Sequence, residues 1–291
     1  MIIDCHTKIW DSSARLGRAA EAYVATAGAT DSVRYLHALD PVDYAIVLAF
    51  KSRYLDAEIP NRFIAEYVSR NGGKLIGFAG IDPNDRDALE ELRIAQEELG
   101  LKGVTLSPAL QDYHPSDTRA MRVYEACVKR NMPIVVDLNY LSPAARLDFG
   151  RPVLFDEVAR EFPNLRLVLS HLGYPWVNET LVLLAKHKNV FADVAGLLKH
   201  PWQAYNALLS AYEMGVIDKL LFGSNYPFRS PAACIETLYS VNRLSAGTNL
   251  PTIPREQLRG IVERDALRLL GIPAETPTVK PAKPGIFDDE E

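Results

Sequence analysis

The sequence predicts a single α/β domain folded as a (β/α)8 (TIM) barrel. Eight apolar segments of strand length alternate with segments of helical periodicity across residues 1–273 of the 291-residue chain. This alternation indicates parallel strands joined by right-handed crossovers, and eight such units in a chain of this length favour a closed barrel. An open, doubly wound sheet is the alternative, but no glycine-rich fingerprint follows the first strand.

The first predicted strand, Met1–Trp10, is unusual because it carries three titratable side chains at alternate positions. Asp4, His6 and Lys8 share one face of a regular strand, since side chains alternate with period two. By the same alternation, Cys5 is expected in the core beneath a helix. One explanation is an edge strand whose polar face is exposed to solvent and has no catalytic role. The other is a strand that lines the mouth of a barrel, where these side chains take part in a reaction.

The other seven strands are predicted from apolar runs, which are typical of strands covered on both faces. They are Tyr44–Phe50, Lys74–Ile81, Lys102–Leu106, Pro133–Leu138, Leu165–Ser170, Val190–Val194 and Lys219–Phe222.

The helices are predicted from their periodicity and from proline starts and glycine ends. They are Ser32–Leu39, Pro60–Asn71, Asp85–Leu99, Asp117–Arg130, Arg151–Phe162, Trp176–His187, Trp202–Met214, Ala232–Leu244 and Arg255–Leu270. Residues 11–30 are predicted as a loop with a short helix. The proline-rich, acidic segment 274–291 lies outside the repeat, and a loose terminus is the favoured interpretation over an extended arm.

Composition excludes several classes of protein. Apolar residues make up 48% and charged residues 24% of the chain, which are ordinary values for a globular protein. No apolar run approaches the roughly 20 residues of a membrane span, and no signal peptide is evident, so we expect a cytoplasmic protein without membrane association. The net charge of −5 without a basic stripe argues against nucleic acid as a partner. Three widely spaced cysteines argue against disulfides and a cysteine-based zinc site.

Polar residues collect where the predicted strands end, which is the working face of a barrel of this type. A lone Asp or Asn at such a position is more often a turn former or helix cap, as expected for Asp82 before Pro83. His171 is a poor turn former and is harder to explain in that way. The polar residues at the strand ends are His6, Lys8, Lys51, Arg53, Asp82, Ser107, Asp137, Asn139, His171, Asp193 and Asn225.

Seven stretches of the chain resemble the amidohydrolase superfamily, specifically its amidohydrolase-related group of small TIM-barrel hydrolases and decarboxylases. They are IIDCHTKIW, GFAGIDPND, KGVTLSP, GRPVLFDEVAREFPNLRLVLSHLGYPW, NVFADVAG, DKLLFGSNYPF and ERDALRLLGI. The order and spacing of LSHLGYPW and LLFGSNYP make the resemblance specific. It implies a TIM barrel, and the related group commonly pairs, which makes a homodimer the expected assembly by analogy.

The resemblance also implies a metal site, and the chain departs from it. The family holds a divalent metal with a His-x-His pair on strand one, histidines ending strands five and six, and an aspartate ending strand eight. His6 and His171 match this pattern, whereas Lys8, Asp137 and Asn225 replace a histidine, a histidine and the aspartate. No lysine ends strand four to bridge two metals.

These replacements favour a centre without metal. A protonated Lys8 has no lone pair to donate, and Asn225 cannot act as a base. The simplest interpretation is an ion pair of Lys8 with Asp137 that replaces the charge of the cation. The alternative is a zinc-type metal held by His6, Asp137 and His171.

Three functions stay open from the sequence. The first is a metal-free hydrolase in which Lys8 stabilises an oxyanion and His6, Asp137 or His171 acts as acid or base, with Asn225 at the same mouth; a lactone suits such a centre. The second is an inactive barrel that binds or scaffolds. The third is a metal-dependent hydrolase or decarboxylase with altered ligands.

The expected partner is a small carboxylated molecule, because the related group often acts on aromatic-derived carboxylic acids. Lys51, Arg53, Arg151 and Arg229 follow strands two, five and eight and are candidates to bind that carboxylate, although solvated surface charge explains each singly. Two further candidates are Tyr140, which could line an aromatic pocket, and His200 beyond strand seven.

Overall fold

The computed structural model describes residues 1–19, 32–71, 73–138 and 142–273. The predicted tail 274–291 and the candidate Tyr140 therefore lie outside the described residues. Within the described ranges, every helix is too short or too polar to cross a membrane.

The described residues form ten strands, and eight of these strands form one parallel sheet. They are β1 (Ile3–Thr7), β2 (Tyr44–Leu48), β3 (Phe50–Ser52), β4 (Ala57–Ile59), β5 (Leu75–Gly80), β6 (Gly103–Leu106), β7 (Ile134–Val136), β8 (Leu167–Leu169), β9 (Val190–Asp193) and β10 (Leu220–Leu221). The sheet runs in the order β1-β2-β5-β6-β7-β8-β9-β10. All of its pairings are parallel.

Backbone hydrogen bonds between β1 and the segment after β10 close the barrel. Cys5 N–H donates to Phe222 O, Asn225 N–H donates to His6 O, and Lys8 N–H donates to Tyr226 O, each at 2.9 Å. The eight-stranded barrel predicted from the sequence is thereby confirmed.

An antiparallel hairpin of β3 and β4 was not predicted, and it shortens the predicted strand Tyr44–Phe50. Phe50 pairs with Ile59 in this hairpin instead of continuing β2. A side chain at Gly80 would place its Cβ 2.7 Å from the Phe50 backbone, so this glycine permits the hairpin to pack on the end of β5. The hairpin lacks the short turn sequence that would have indicated it.

The predicted helices lie close to their expected positions, with differences at their ends, and the short helix Pro108–Gln111 is an addition that the sequence does not predict. The α-helices are Ser32–Ala38, Asn61–Arg70, Ala88–Glu97, Pro108–Gln111, Thr118–Lys129, Phe155–Glu161, Val177–Lys186, Pro201–Glu213, Pro231–Ser240, Arg255–Val262 and Ala266–Leu270. The predicted helix Arg255–Leu270 is divided because the Asp265 side chain accepts the Arg268 N–H and starts a new helix. Ser13–Ala19 forms a 3-10 helix within the predicted first loop.

A β-bulge in β1 changes which residues face the inside of the barrel. Asp4 pairs with Ala45 but Thr7 pairs with Val47, so β1 carries one extra residue between them. Cys5 packs in the inner cluster with Leu48 and Phe78, while the Thr7 hydroxyl lies 2.7 Å from Tyr35 of an outer helix. The expectations that Asp4 shares a face with His6 and Lys8, and that Cys5 faces away from His6, are therefore wrong, because a bulge interrupts strict alternation.

Candidate active site

The carboxyl ends of the strands bring together His6, Lys8, Asp137, His171 and Asp193, which we call the central cluster. All five side chains are buried. Lys8 Nζ forms an ion pair with Asp137 Oδ2, as the sequence predicts. Burial raises the pKa of Asp137, but the Lys8 ammonium, together with His171 and His6, outweighs burial and holds that pKa well below its usual range. Asp137 is therefore a carboxylate at any ordinary pH.

His171 is held in one tautomer by the backbone. His171 and Leu172 both have left-handed φ values, 57° and 50°, so the chain turns sharply after β8. Gly196 N–H donates to His171 Nδ1 at 3.0 Å, which assigns the ring hydrogen to Nε2. That Nε2 lies 3.4 Å from Asp137 Oδ1. Burial lowers the pKa of His171, which favours the neutral ring.

His6 is oriented by Asp193 in the opposite sense. His6 Nδ1 lies 3.0 Å from Asp193 Oδ2, which assigns a hydrogen to Nδ1 because a carboxylate oxygen can only accept. Asp193 Oδ1 accepts the N–H groups of His171 at 2.9 Å and Ala195 at 3.0 Å. Burial raises the pKa of Asp193, but its interactions with His6 and His171 together outweigh burial, so the pKa is lowered.

The Nε2 atom of His6 is buried and has no hydrogen-bond partner among the described residues. A buried polar nitrogen without a partner needs an explanation, and a catalytic role is one that suits a histidine at the strand ends. The sequence placed Asp193 at a strand end but assigned it no role. Its position directly after the apolar residues of β9 was the available signal.

Asn225 lies beside the cluster in the segment that closes the barrel. Its φ is 61°, a left-handed conformation that asparagine tolerates better than most residues. A Cβ on Gly196 would lie 3.2 Å from His171 Nδ1 and 3.5 Å from Asn225 Nδ2, so Gly196 lets the two loops approach. Asn225 is thus next to His171, as predicted from the strand ends.

A metal ion is possible at this centre, but the residues fit it only after rearrangement. His6, His171 and Asp193 each offer one ligand atom, and these atoms lie within 4.8 Å of one another. Ligands of a tetrahedral zinc ion lie roughly 3.4 Å apart. Asp193 is already engaged by three donors, and Asp137, in the predicted zinc set, is paired with Lys8. A divalent cation held by His6, His171 and Asp193 would therefore compete with the donors that already engage Asp193.

Asp4 lies behind the cluster and is a buried acid of a different kind. Its Oδ1 accepts His6 N–H at 3.2 Å and Ser224 N–H at 2.9 Å, which links β1 to the closing segment. Burial raises the pKa of Asp4 to about 7, despite these hydrogen bonds. The unfolded pKa is about 3.9, so the folded protein binds more protons between these values, and stability falls as pH rises through that window.

Asp4→Asn is therefore expected to stabilise the protein at pH 8 and to have little effect at pH 4. Asparagine keeps the acceptor but cannot ionise, and each pKa unit is worth about 1.4 kcal/mol, so the gain is on the order of 4 kcal/mol at most. Urea unfolding at both pH values measures it, with the exposed Asp40→Asn as control. Equal gains at both pH values would contradict the assigned ionisation.

Of the cations predicted to bind substrate, Lys51 and Arg53 form ion pairs on the rim. Lys51 Nζ lies 2.8 Å from Asp85 and 2.7 Å from Glu91, and Arg53 Nε lies 3.2 Å from Asp85. Burial lowers the pKa of Lys51, but its two acidic partners outweigh burial and raise it. Asp82 accepts Asn84 N–H at 2.9 Å, the turn-forming role predicted for it.

The other predicted substrate contacts differ in their partners. Arg151 forms an ion pair with Glu179. Arg229 donates to the carbonyl oxygens of Leu198 and Ala233 at 2.9 and 3.2 Å. His200 is exposed, and its ring stacks on Tyr174 at 5.7 Å between centroids. Their contact with a substrate stays a prediction.

The family of the chain follows from a sequence profile. The profile of the amidohydrolase family matches residues 3–272. The chain belongs to the amidohydrolase family. Its barrel, its strand-end residues and the resemblance of its motifs agree with that assignment. No curated protein matches this amidohydrolase.

Several solved structures share the fold of this amidohydrolase at low sequence identity. An amidohydrolase from Burkholderia multivorans with bound zinc is 15% identical, with TM-score 0.68, over 94% of this chain and all of that chain (100%). A probable 2-pyrone-4,6-dicarboxylic acid hydrolase from Acinetobacter baumannii is 14% identical, with TM-score 0.65, over 93% and 99%. The 5-carboxyvanillate decarboxylase from Sphingomonas paucimobilis is 12% identical, with TM-score 0.64, over 94% and 99%.

Proposed function

We propose that the protein hydrolyses a small carboxylated substrate such as a lactone, with Lys8 supplying the positive charge that a metal supplies in the family pattern. The observation that carries this proposal is the buried Lys8–Asp137 ion pair beside His6, whose Nε2 has no hydrogen-bond partner in the described part of the chain. Lys8, a cation that can stabilise an oxyanion, and His6, a base, therefore lie together at the barrel mouth, where enzymes of this fold act.

His6 is the base in this mechanism. Its Nδ1–H is held by Asp193, so Nε2 is the atom that accepts a proton from water. The Asp193 carboxylate stabilises the imidazolium that forms, in the manner of an acid that orients a catalytic histidine. Because Asp193 also holds the backbone of His171, it sets the spacing between the two rings, whose centroids are 4.9 Å apart.

Lys8 stabilises the negative charge of the intermediate. An ammonium group has three donors, so Lys8 can stay paired with Asp137 and still donate to a substrate carbonyl oxygen. Attack by water forms a carbon–oxygen bond and places negative charge on that oxygen. Collapse of the intermediate breaks the lactone carbon–oxygen bond, and the proton taken by His6 passes to the leaving oxygen.

A lactone suits this centre better than an amide. A weaker nucleophile can attack an activated ester than an amide, and the ester also carries the better leaving group. A histidine base is therefore sufficient to activate the water. The similarity to a 2-pyrone-4,6-dicarboxylic acid hydrolase, at 14% identity, supports a first choice of substrate to test.

The test combines metal analysis with a substrate panel that begins with 2-pyrone-4,6-dicarboxylate. We expect far less than one Zn, Mn or Fe ion per chain, and hydrolysis that survives dialysis against a chelator. His6→Gln is expected to lower kcat by about 100-fold or more. His187→Gln is the matched control, because His187 pairs with Asp156 away from the cluster.

Two results would contradict the proposal. Hydrolysis lost on chelation and restored by zinc would identify a metal-dependent enzyme with altered ligands. Absence of turnover across carboxylated lactones, esters and decarboxylation substrates would favour a barrel that binds or scaffolds without catalysis.

A further inference from the structure

Two cations on the loops after β9 and β10 differ from the other basic residues near the barrel mouth. Lys51, Arg53 and Arg151 each have an acidic partner. Lys199 and Arg229 have none, as far as the described ranges extend. Two neighbouring positive charges without a counter-ion attract an anion.

Arg229 is fixed in place by neutral acceptors. Its Nη1 donates to Leu198 O at 2.9 Å and its Nη2 donates to Ala233 O at 3.2 Å, so it joins the loop after β9 to the helix after β10. Its Nε is buried and has no hydrogen-bond partner among the described residues. The guanidinium is always ionised, so its full positive charge remains at this position.

Lys199 follows Leu198 directly and is the accessible member of the pair. Its Nζ lies 4.8 Å from the centroid of the Phe228 ring, a cation–π contact that holds the ammonium next to the Arg229 loop. Burial lowers the pKa of Lys199, and the positive charge of Arg229 lowers it further. The exposed ammonium is thus held on an aromatic ring beside a second cation.

Both loops begin at the central cluster. Gly196, at the start of the segment that ends at Lys199, donates its N–H to His171, and Arg229 comes four residues after Asn225. β9 and β10 are the seventh and eighth strands of the barrel, and the loops after these strands often bind anionic groups in this fold.

We propose that Lys199 and Arg229 form an anion subsite that binds the carboxylate of the substrate. Lys199 contacts the carboxylate, whereas Arg229 positions the Lys199 loop through Leu198 O and adds a second positive charge. This inference rests on the proposed function and names the part of the site that recognises the carboxylated substrate.

Binding of isophthalate, a small dicarboxylate without a scissile bond, tests the subsite by calorimetry at low ionic strength. Lys199→Gln is expected to weaken isophthalate about tenfold, the effect of losing one charge-assisted hydrogen bond at a partly exposed site. Lys199→Arg is expected to retain most of the affinity. Lys188→Gln is the matched control, because it makes the same charge change just before β9, at the opposite end of that strand.

Two further titrations distinguish a carboxylate ligand from a neutral ligand and from phosphate. The neutral dimethyl isophthalate is expected to show no difference between the wild type and Lys199→Gln. Unchanged isophthalate binding in Lys199→Gln would overturn the proposal, as would inorganic phosphate that binds more tightly than isophthalate at the same residue.

Kinetics on an identified lactone separate this inference from the proposed function. Lys199→Gln should then raise KM about tenfold and leave kcat nearly unchanged, because the residue binds the substrate without taking part in the reaction. If no lactone is hydrolysed, the proposed function fails, while the isophthalate titration still decides whether the subsite exists.

Discussion

Lys8→Met is expected to destabilise the fold by about 3–5 kcal/mol at pH 7, because it leaves Asp137 as an unpaired charge inside the barrel. The contribution of Asp137 to the free energy of unfolding should also change with pH in the opposite direction. In the wild type the pKa of Asp137 is lowered, so its contribution is present above the unfolded pKa of about 3.9 and is lost as pH falls. Without Lys8, burial raises that pKa, and stability falls as pH rises.

Two further variants isolate the ion pair. Lys8→Met with Asp137→Leu is expected to recover most of the lost stability, because no buried charge remains. Lys186→Met breaks an exposed pair with Asp156 and should cost less than about 1 kcal/mol. Urea unfolding between pH 4 and 8 measures all three, and a Lys8→Met protein as stable as the wild type at every pH would remove Lys8 from its assigned role.

The triple variant Lys8→His, Asp137→His and Asn225→Asp is expected to bind one zinc ion tightly. These changes introduce the ligand pattern that the resemblance to the family implies and remove the ammonium that repels a cation. We expect the zinc affinity to exceed that of the wild type by about 1000-fold or more, and zinc to raise the melting temperature, since it binds only the folded state.

Elemental analysis after dialysis and a chelator competition measure the affinity. Asn225→Asp alone is the control, because it adds a carboxylate while Lys8 remains, and it should bind zinc weakly. A folded triple variant without zinc, or a wild type that already retains one ion, would show that Lys8 does not replace the cation.

The barrel and most of its strand ends could be predicted from the sequence because both depend on local patterns. Apolar runs mark strands such as β2 and β8, and the residue that follows each run lies at the working face in any parallel barrel. His6, Lys8, Asp137 and His171 were located in this way. The Lys8–Asp137 ion pair also followed, because two opposite charges at one buried mouth must compensate each other.

The roles of Asp193 and Asp4 could not be predicted from local patterns. The bulge in β1 is invisible to a period-two pattern, and it separates Asp4 from His6. The bond between His6 and Asp193 joins residues 187 positions apart, and only the closure of the barrel decides their distance. Likewise, Arg229 and Lys51 are both basic residues that follow a strand, so the sequence does not distinguish them. In the folded protein Lys51 pairs with the Asp85 carboxylate, whereas Arg229 donates to the Leu198 carbonyl oxygen.

The sequence by itself determined the fold, and it predicted the place of the site and the replacement of the metal ligands that the resemblance implies, because these predictions depend on residue types and their spacing. Only the tertiary structure decided which acid orients His6 and, within the residues that it describes, which nitrogen of that ring has no partner and which cations lack a counter-ion. Those properties depend on distances of a few ångströms between strands remote in sequence, where burial and charge jointly set the chemistry.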